Sequence, residues 1–145
     1  MKTWNSNAIR EGYRSGLEDI VAKQLNTLRM DYDYEPKDGR IEYTKPEKPS
    51  KYTPDFVFKR CPIIIETKGR FVTADRQKHL LIKAQHPEFD IRFVFSNSRS
   101  RISKQSSTTY GMWCEKHGFK YADKLVPDAW IKEIKKWQES KKSST

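Results

Sequence analysis

Ile63-Ile64-Ile65-Glu66-Thr67-Lys68-Gly69 decides how this 145-residue chain is read. Three successive β-branched residues without alternation predict a strand covered on both faces. Gly69 ends its strongest part. Strand side chains alternate between faces, so Glu66 and Lys68 share one face and Thr67 points to the other. A carboxylate and an ammonium at the end of an isoleucine run are costly to bury unless they are paired or bind a metal. Eleven residues upstream, Thr53-Pro54-Asp55 leads into Phe56-Val57-Phe58, a second short strand. A hairpin between the two segments would bring Asp55 beside Glu66.

Working outward, Leu17, Ile20, Val21, Leu25 and Leu28 lie at helical spacing behind Ser15. Ser15-Gly16-Leu17-Glu18 has the form of a capping box, an ordinary structural role for Glu18. Tyr32 and Tyr34 alternate with acids as in a half-buried strand. Asp38-Gly39 signals a hairpin, with Ile41 and Tyr43 on the returning strand. Residues 45–51 carry two prolines and four charges, so they are read as an extended connector and excluded from any central strand. Thr73 caps a helix from Ala74 to Gln85 with Leu80, Leu81 and Ala84 inward, closed by Pro87. Ile91 to Ser96 is a third buried strand, and Ser96 to Thr109 a surface loop. Tyr110, Trp113, Cys114 and His117 form a short helix stopped by Gly118. Pro127 opens a last helix with Trp130, Ile131, Ile134 and Trp137 on one face.

This order predicts a mixed α/β or α+β layer fold. Residues 1–14 read as a flexible basic arm, 15–139 as one domain, and 140–145 as a frayed tail. Net charge is +10, from 29 Lys and Arg against 19 Asp and Glu, which favours a polyanionic partner. No apolar run is long enough to span a membrane, and no secretory signal is recognisable. Cys61 and Cys114 stand apart, fit a reducing cytoplasm, and offer no zinc spacing with the three scattered histidines.

Two carboxylates and a lysine can serve phosphodiester hydrolysis: hard divalent cations take oxygen ligands, and an ammonium neutralises developing charge. Pro-Asp, a spacer and Glu-x-Lys also occur by chance in a charged chain. An ordinary Glu–Lys pair beside a turn aspartate is the plain alternative.

The blocks Arg14-Ser15-Gly16-Leu17-Glu18-Asp19, Tyr52-Thr53-Pro54-Asp55-Phe56 and Glu66-Thr67-Lys68-Gly69 resemble the bacteriophage endonuclease I family. So do Lys78-His79-Leu80-Leu81-Ile82, His86-Pro87-Glu88, Cys114-Glu115-Lys116-His117-Gly118 and Ala122-Asp123-Lys124-Leu125, in order from about residue 10 to residue 135. That family comprises Holliday-junction-resolving enzymes of the PD-(D/E)xK superfamily. The resemblance implies a restriction-endonuclease-like central mixed sheet flanked by helices. It also implies a domain-swapped homodimer, with Glu18 and the Asp55–Glu66–Lys68 set of one site on different subunits, crossing at residues 45–51. It implies Mg²⁺ or Mn²⁺, two ions per site, held by Asp55, Glu66, the Thr67 carbonyl and Glu18, with Lys68 acting on the water and the scissile phosphate. No small-molecule cofactor is implied, and the setting is a bacterial host cytoplasm.

Phosphate contacts are expected from Arg10, Arg14, Arg70, Arg76, Lys78, Arg99, Arg101 and Lys104, with Arg14 and Arg76 foremost by proximity to the motif. Tyr110 and Trp113 could stack on bases, although helical spacing favours the core. The substrate expected is branched DNA recognised by shape. A non-catalytic protein gripping bent DNA and a nuclease for linear duplex are the competing readings.

Overall fold

The computed structural model describes residues 16–45 and 48–143. Arg10, Arg14, Ser15 and the N-terminal arm lie outside that set, as do residues 46–47 and 144–145.

The chain runs α1 (Gly16–Thr27), β1 (Tyr32–Tyr34), a 3₁₀ turn (Lys37–Gly39), β2 (Ile41–Lys45), β3 (Lys48–Tyr52), β4 (Phe56–Phe58) and β5 (Ile63–Lys68). It continues with α2 (Thr73–Gln85), β6 (Asp90–Phe95), α3 (Tyr110–His117), β7 (Lys120–Asp123) and α4 (Asp128–Ser143). Five strands form the central sheet in the order β1-β4-β5-β6-β7. β1 and β4 pair antiparallel, as do β4 and β5, whereas β5–β6 and β6–β7 are parallel. The expected mixed sheet flanked by helices is therefore present.

Both faces of the isoleucine strand are covered, as its lack of alternation requires. Ile63 and Ile65 pack with Val21, Leu25, Phe56, Trp130 and Ile134 beneath α1 and α4. Ile64 joins Phe71, Ile82, Phe93, Trp113 and Phe119 on the opposite face, beneath α2 and α3. Tyr110 and Trp113 are buried there too, so they belong to the core and are not exposed for base stacking.

Several local expectations are corrected. The Asp38-Gly39 turn lies between β1 and β2 but does not pair them as a hairpin, and the two strands belong to different sheets. Tyr32 and Tyr34 instead pack their rings on Phe56, at centroid distances of 5.4 and 5.3 Å, and β1 pairs with β4. Aromatic cross-strand contacts thus outweigh the local turn signal. The segment read as an unpaired connector is largely a strand: β3 pairs with β2 as a separate two-stranded sheet, with Pro49 opposite Thr44. A two-stranded sheet is all edge, where proline's missing N–H is tolerated. Gln85 fastens this hairpin to the end of α2, accepting from the Thr44 N–H at 2.7 Å and donating to the Thr44 carbonyl at 2.8 Å.

Thr73 is the first residue of α2, not its cap, and its hydroxyl accepts from Arg76. The inward face of α2 is set by Arg76, His79 and Ile82; Ala84 is exposed. Ile20 is also exposed, because at about 100° per residue it falls outside the arc shared by Glu18, Val21 and Leu25. Trp137 is exposed one turn beyond Ile134. β7 was not anticipated: it is short, and only its register beside Phe93 and Val94 makes it a strand. Gly118 ends α3 in the left-handed conformation, as expected. No helix among the described residues is long and apolar enough to cross a membrane.

Candidate active site

The parallel strands β5, β6 and β7 end on the same side of the sheet, and their carboxyl ends border a cleft of about 900 Å³. Open α/β sheets commonly place ligands in such crevices. Glu18, Asp55, Glu66, Thr67 and Lys68 all line it, together with Ile20, Arg70, Asp75, Lys78, Ser96 and Lys124.

The β4–β5 hairpin pairs Phe56 with Ile65, which sets Asp55 beside Glu66 as their spacing anticipated. The Asp55 N–H donates to Glu66 Oε1 at 2.8 Å. Asp55 Oδ2 in turn accepts from the Thr67 N–H at 2.9 Å and from its hydroxyl at 3.0 Å. Tyr52 donates to Glu66 Oε1 at 2.5 Å. Both carboxylates are almost fully buried, so one oxygen of each is already held by protein donors.

Glu18 enters from the first turn of α1, buried, with the Tyr34 hydroxyl as its donor. Carboxylate oxygens of Glu18, Glu35 and Asp55 lie within 4.8 Å of one another. Glu35 was not singled out in the sequence. Its backbone is left-handed at φ 42°, with its N–H bonded to the Asp55 carbonyl, and only that turn directs it inward. Glu66 is not in that three-acid cluster; with Glu18, Asp55 and Lys68 it lines the same cleft.

Burial and the neighbouring Asp55 charge push the Glu66 carboxyl up to about 8, although Lys68 opposes this. The Lys68 ammonium lies 3.6 Å from Asp75, a partner in the first turn of α2 that the sequence reading missed. Lys78, one turn further along, is lowered by burial and then by Lys68. The cluster consists of hard oxygen donors, the set a divalent cation such as Mg²⁺ takes. Protein donors to Asp55 and Glu66 fix their orientation, as ordered ligand carboxylates require.

A profile described as phage endonuclease I matches residues 1–144. The chain belongs to the phage endonuclease I family. Among its relatives is endodeoxyribonuclease 1 of Enterobacteria phage T3, 56% identical over 124 residues, or 86% of this chain and 80% of the relative. Endonuclease I of Escherichia phage T7 is 49% identical over 138 residues, 94% of this chain and 91% of the relative.

Of the expected phosphate contacts, Arg70 and Lys78 line the main cleft. Arg70 also borders a neighbouring cleft of about 300 Å³ with Arg101 and Lys104. Arg99 is exposed nearby. Arg76 does not fit the expectation. It is buried and donates to the Phe71 carbonyl at 2.5 Å and the Thr73 hydroxyl at 3.0 Å, which makes it a brace for the start of α2.

Proposed function

We propose that this protein is a Mg²⁺-dependent endonuclease that resolves four-way and related DNA junctions, working as a homodimer. The carrying observation is the convergence of Glu18, Asp55, Glu66 and Lys68 on one cleft. The names of the T3 and T7 relatives, both endonucleases, support the reaction class.

Asp55, Glu66, Glu18 and the Thr67 carbonyl would hold the cations, up to two per site, with Mn²⁺ as a substitute for Mg²⁺. Bound there, a divalent ion polarises the phosphoryl oxygen and acidifies water. Lys68 neutralises charge on the scissile phosphate and orients the attacking water. Asp75 limits where its ammonium can go. Arg70, Lys78, Arg99, Arg101 and Lys104, with Arg10 and Arg14 outside the described residues, are the proposed phosphate contacts. A host bacterial cytoplasm would supply both metal and DNA.

Two such sites around a two-fold axis would act on two strands of a junction. β2 and β3 pair antiparallel from Ile41↔Tyr52 to Lys45↔Lys48, and separating them would let residues 16–45 exchange between copies with Glu18 still beside an Asp55. The site can therefore form within a chain or across a swapped pair.

The test is cleavage of a synthetic four-way junction by the purified protein, with and without Mg²⁺, against a linear duplex competitor and with the mass in solution measured. Intact junctions in Mg²⁺ and Mn²⁺ would leave only an architectural DNA-binding role. Equal cleavage of linear duplex would point to a general duplex nuclease.

A further inference from the structure

Tyr52 has no part in the reaction as described, yet it is bonded from behind to Glu66, a carboxylate that lines the cleft. It ends β3 and is 2% exposed. Its hydroxyl and the Asp55 N–H both converge on Glu66 Oε1, at 2.5 and 2.8 Å. No described hydrogen bond takes Glu66 Oε2, which leaves that oxygen for a ligand in the cleft.

The Tyr52 ring is fixed in turn. It meets His79 edge-on, with centroids 5.2 Å apart and planes at 83°, and Lys78 Nζ lies 5.5 Å from its centroid. His79 is fully buried, crosses Phe93 at 4.9 Å, and has no partner for either ring nitrogen among the described residues. Burial, with Lys68 and Lys78 adding to it, keeps that imidazole neutral. His79 therefore acts as an aromatic slab, with no hydrogen-bonding task.

We infer that Tyr52 is a positioning residue for the cation site: its hydroxyl holds Glu66 in the orientation that presents Oε2, and it ties that orientation to docking of the β2–β3 hairpin. The inference rests on the cation-dependent reading above. Carboxylate ligands depend on such outer partners, whose loss typically lowers metal affinity about 10- to 100-fold.

The experiment measures Ca²⁺ binding to the full-length protein without DNA, by calorimetry, and the Mg²⁺ dependence of junction cleavage. Tyr52→Phe keeps the ring and its contacts and removes only the hydroxyl. It should bind Ca²⁺ about tenfold more weakly, need correspondingly more Mg²⁺, and regain near-parental cleavage when Mg²⁺ saturates. His79→Phe keeps the slab and should match the parent in both measurements. 3-Fluorotyrosine at position 52 restores a hydroxyl and should restore Ca²⁺ affinity. Parental Ca²⁺ affinity in Tyr52→Phe would overturn the inference. So would unfolding of that variant, seen by circular dichroism, because the hydroxyl would then be holding the fold. A parent that neither binds Ca²⁺ nor cuts would instead remove the cation-dependent reading itself.

Discussion

Asp55 and Glu66 are joined by a hydrogen bond from the main-chain N–H of Asp55 to Glu66 Oε1, at 2.8 Å. The Asp55 carboxylate reaches forward to Thr67, so the two acids are interlocked across the β4–β5 hairpin. Neither can shift without disturbing the other's donors. The acids are thus held in place before any ligand arrives, the preorganisation that charge stabilisation in a site requires.

Conservative changes within this set should separate cutting from binding. Asp55→Asn, Glu66→Gln and Lys68→Ala are each expected to lower single-turnover junction cleavage by about 10²–10³-fold or more. Gel-shift affinity for the junction in Ca²⁺ should stay within a few-fold of the parent. Parallel loss of affinity and cleavage would mean that these side chains only shape the DNA surface.

Burial of Glu66 should make the ion-free protein sensitive to pH. Its folded carboxyl titrates near 8, against 4.5 for the ordinary group. The native state therefore holds a proton that the unfolded chain has released, and stability falls as pH rises between those values. Thermal melts in chelator should show the midpoint dropping from pH 5 to pH 8, with a flatter profile for Glu66→Gln. Identical profiles for the two proteins would show that Glu66 is already ionised at pH 5.

Arg76 and the Arg101–Lys104 loop should behave as opposites. Arg76→Ala removes a buried donor from the Phe71 carbonyl and should cost about 1–3 kcal/mol in denaturant unfolding, with junction affinity retained while folded. Arg101→Ala and Lys104→Ala should leave stability within about 0.5 kcal/mol. If each meets one phosphate, each should reduce the slope of log affinity against log salt by about 0.9. An unchanged slope would remove that loop from the DNA surface.

Far from the cleft, Arg92 is 2% exposed and bonded to Asp90 at 2.8 Å and Glu133 at 2.5 Å. Burial disfavours its charge, but hydrogen bonds to those two acids more than compensate and hold the guanidinium protonated. Arg92→Ala strands both carboxylates. The pair is only partly shielded on the acid side, so a loss at the low end of about 3–5 kcal/mol is expected in urea unfolding, with cleavage intact in the folded fraction. A loss below 1 kcal/mol would mark the network as an ordinary surface pair.

The Asp55–Glu66–Lys68 part of the candidate site was legible because its information is local. Asp55 precedes one short strand, Glu66 and Lys68 share one face of the next, and a hairpin is the simplest link between them. Glu18 was different: its spacing from Ser15 is that of a capping box, and only resemblance to a family marked it as a ligand. Glu35 and Asp75 carried no signal, and Tyr52 stood only inside a family-like block with no role attached. Each meets the site through a contact with a residue distant in sequence or through an unusual backbone turn. Arg76 shows the reverse error, since nearness to a motif along the chain said nothing about which side of α2 faces inward. The fold misjudgements share that origin. The Asp38-Gly39 turn and the proline-rich segment were read from local propensity; pairing of β1 with β4 overruled the first, and the adjacent β2–β3 hairpin the second.

By itself, the order of residues determined a layered α/β domain around an isoleucine strand, a basic surface, and an acid–acid–lysine set at that strand's end. These follow from side-chain period and composition, which need no knowledge of distant neighbours. Tertiary structure alone decided that Glu18 and Glu35 join Asp55, that Tyr52 grips Glu66, and that Pro49 sits in a paired strand. Those outcomes depend on which buried polar groups find partners across the sheet, and such partners exist only once the chain has closed on itself.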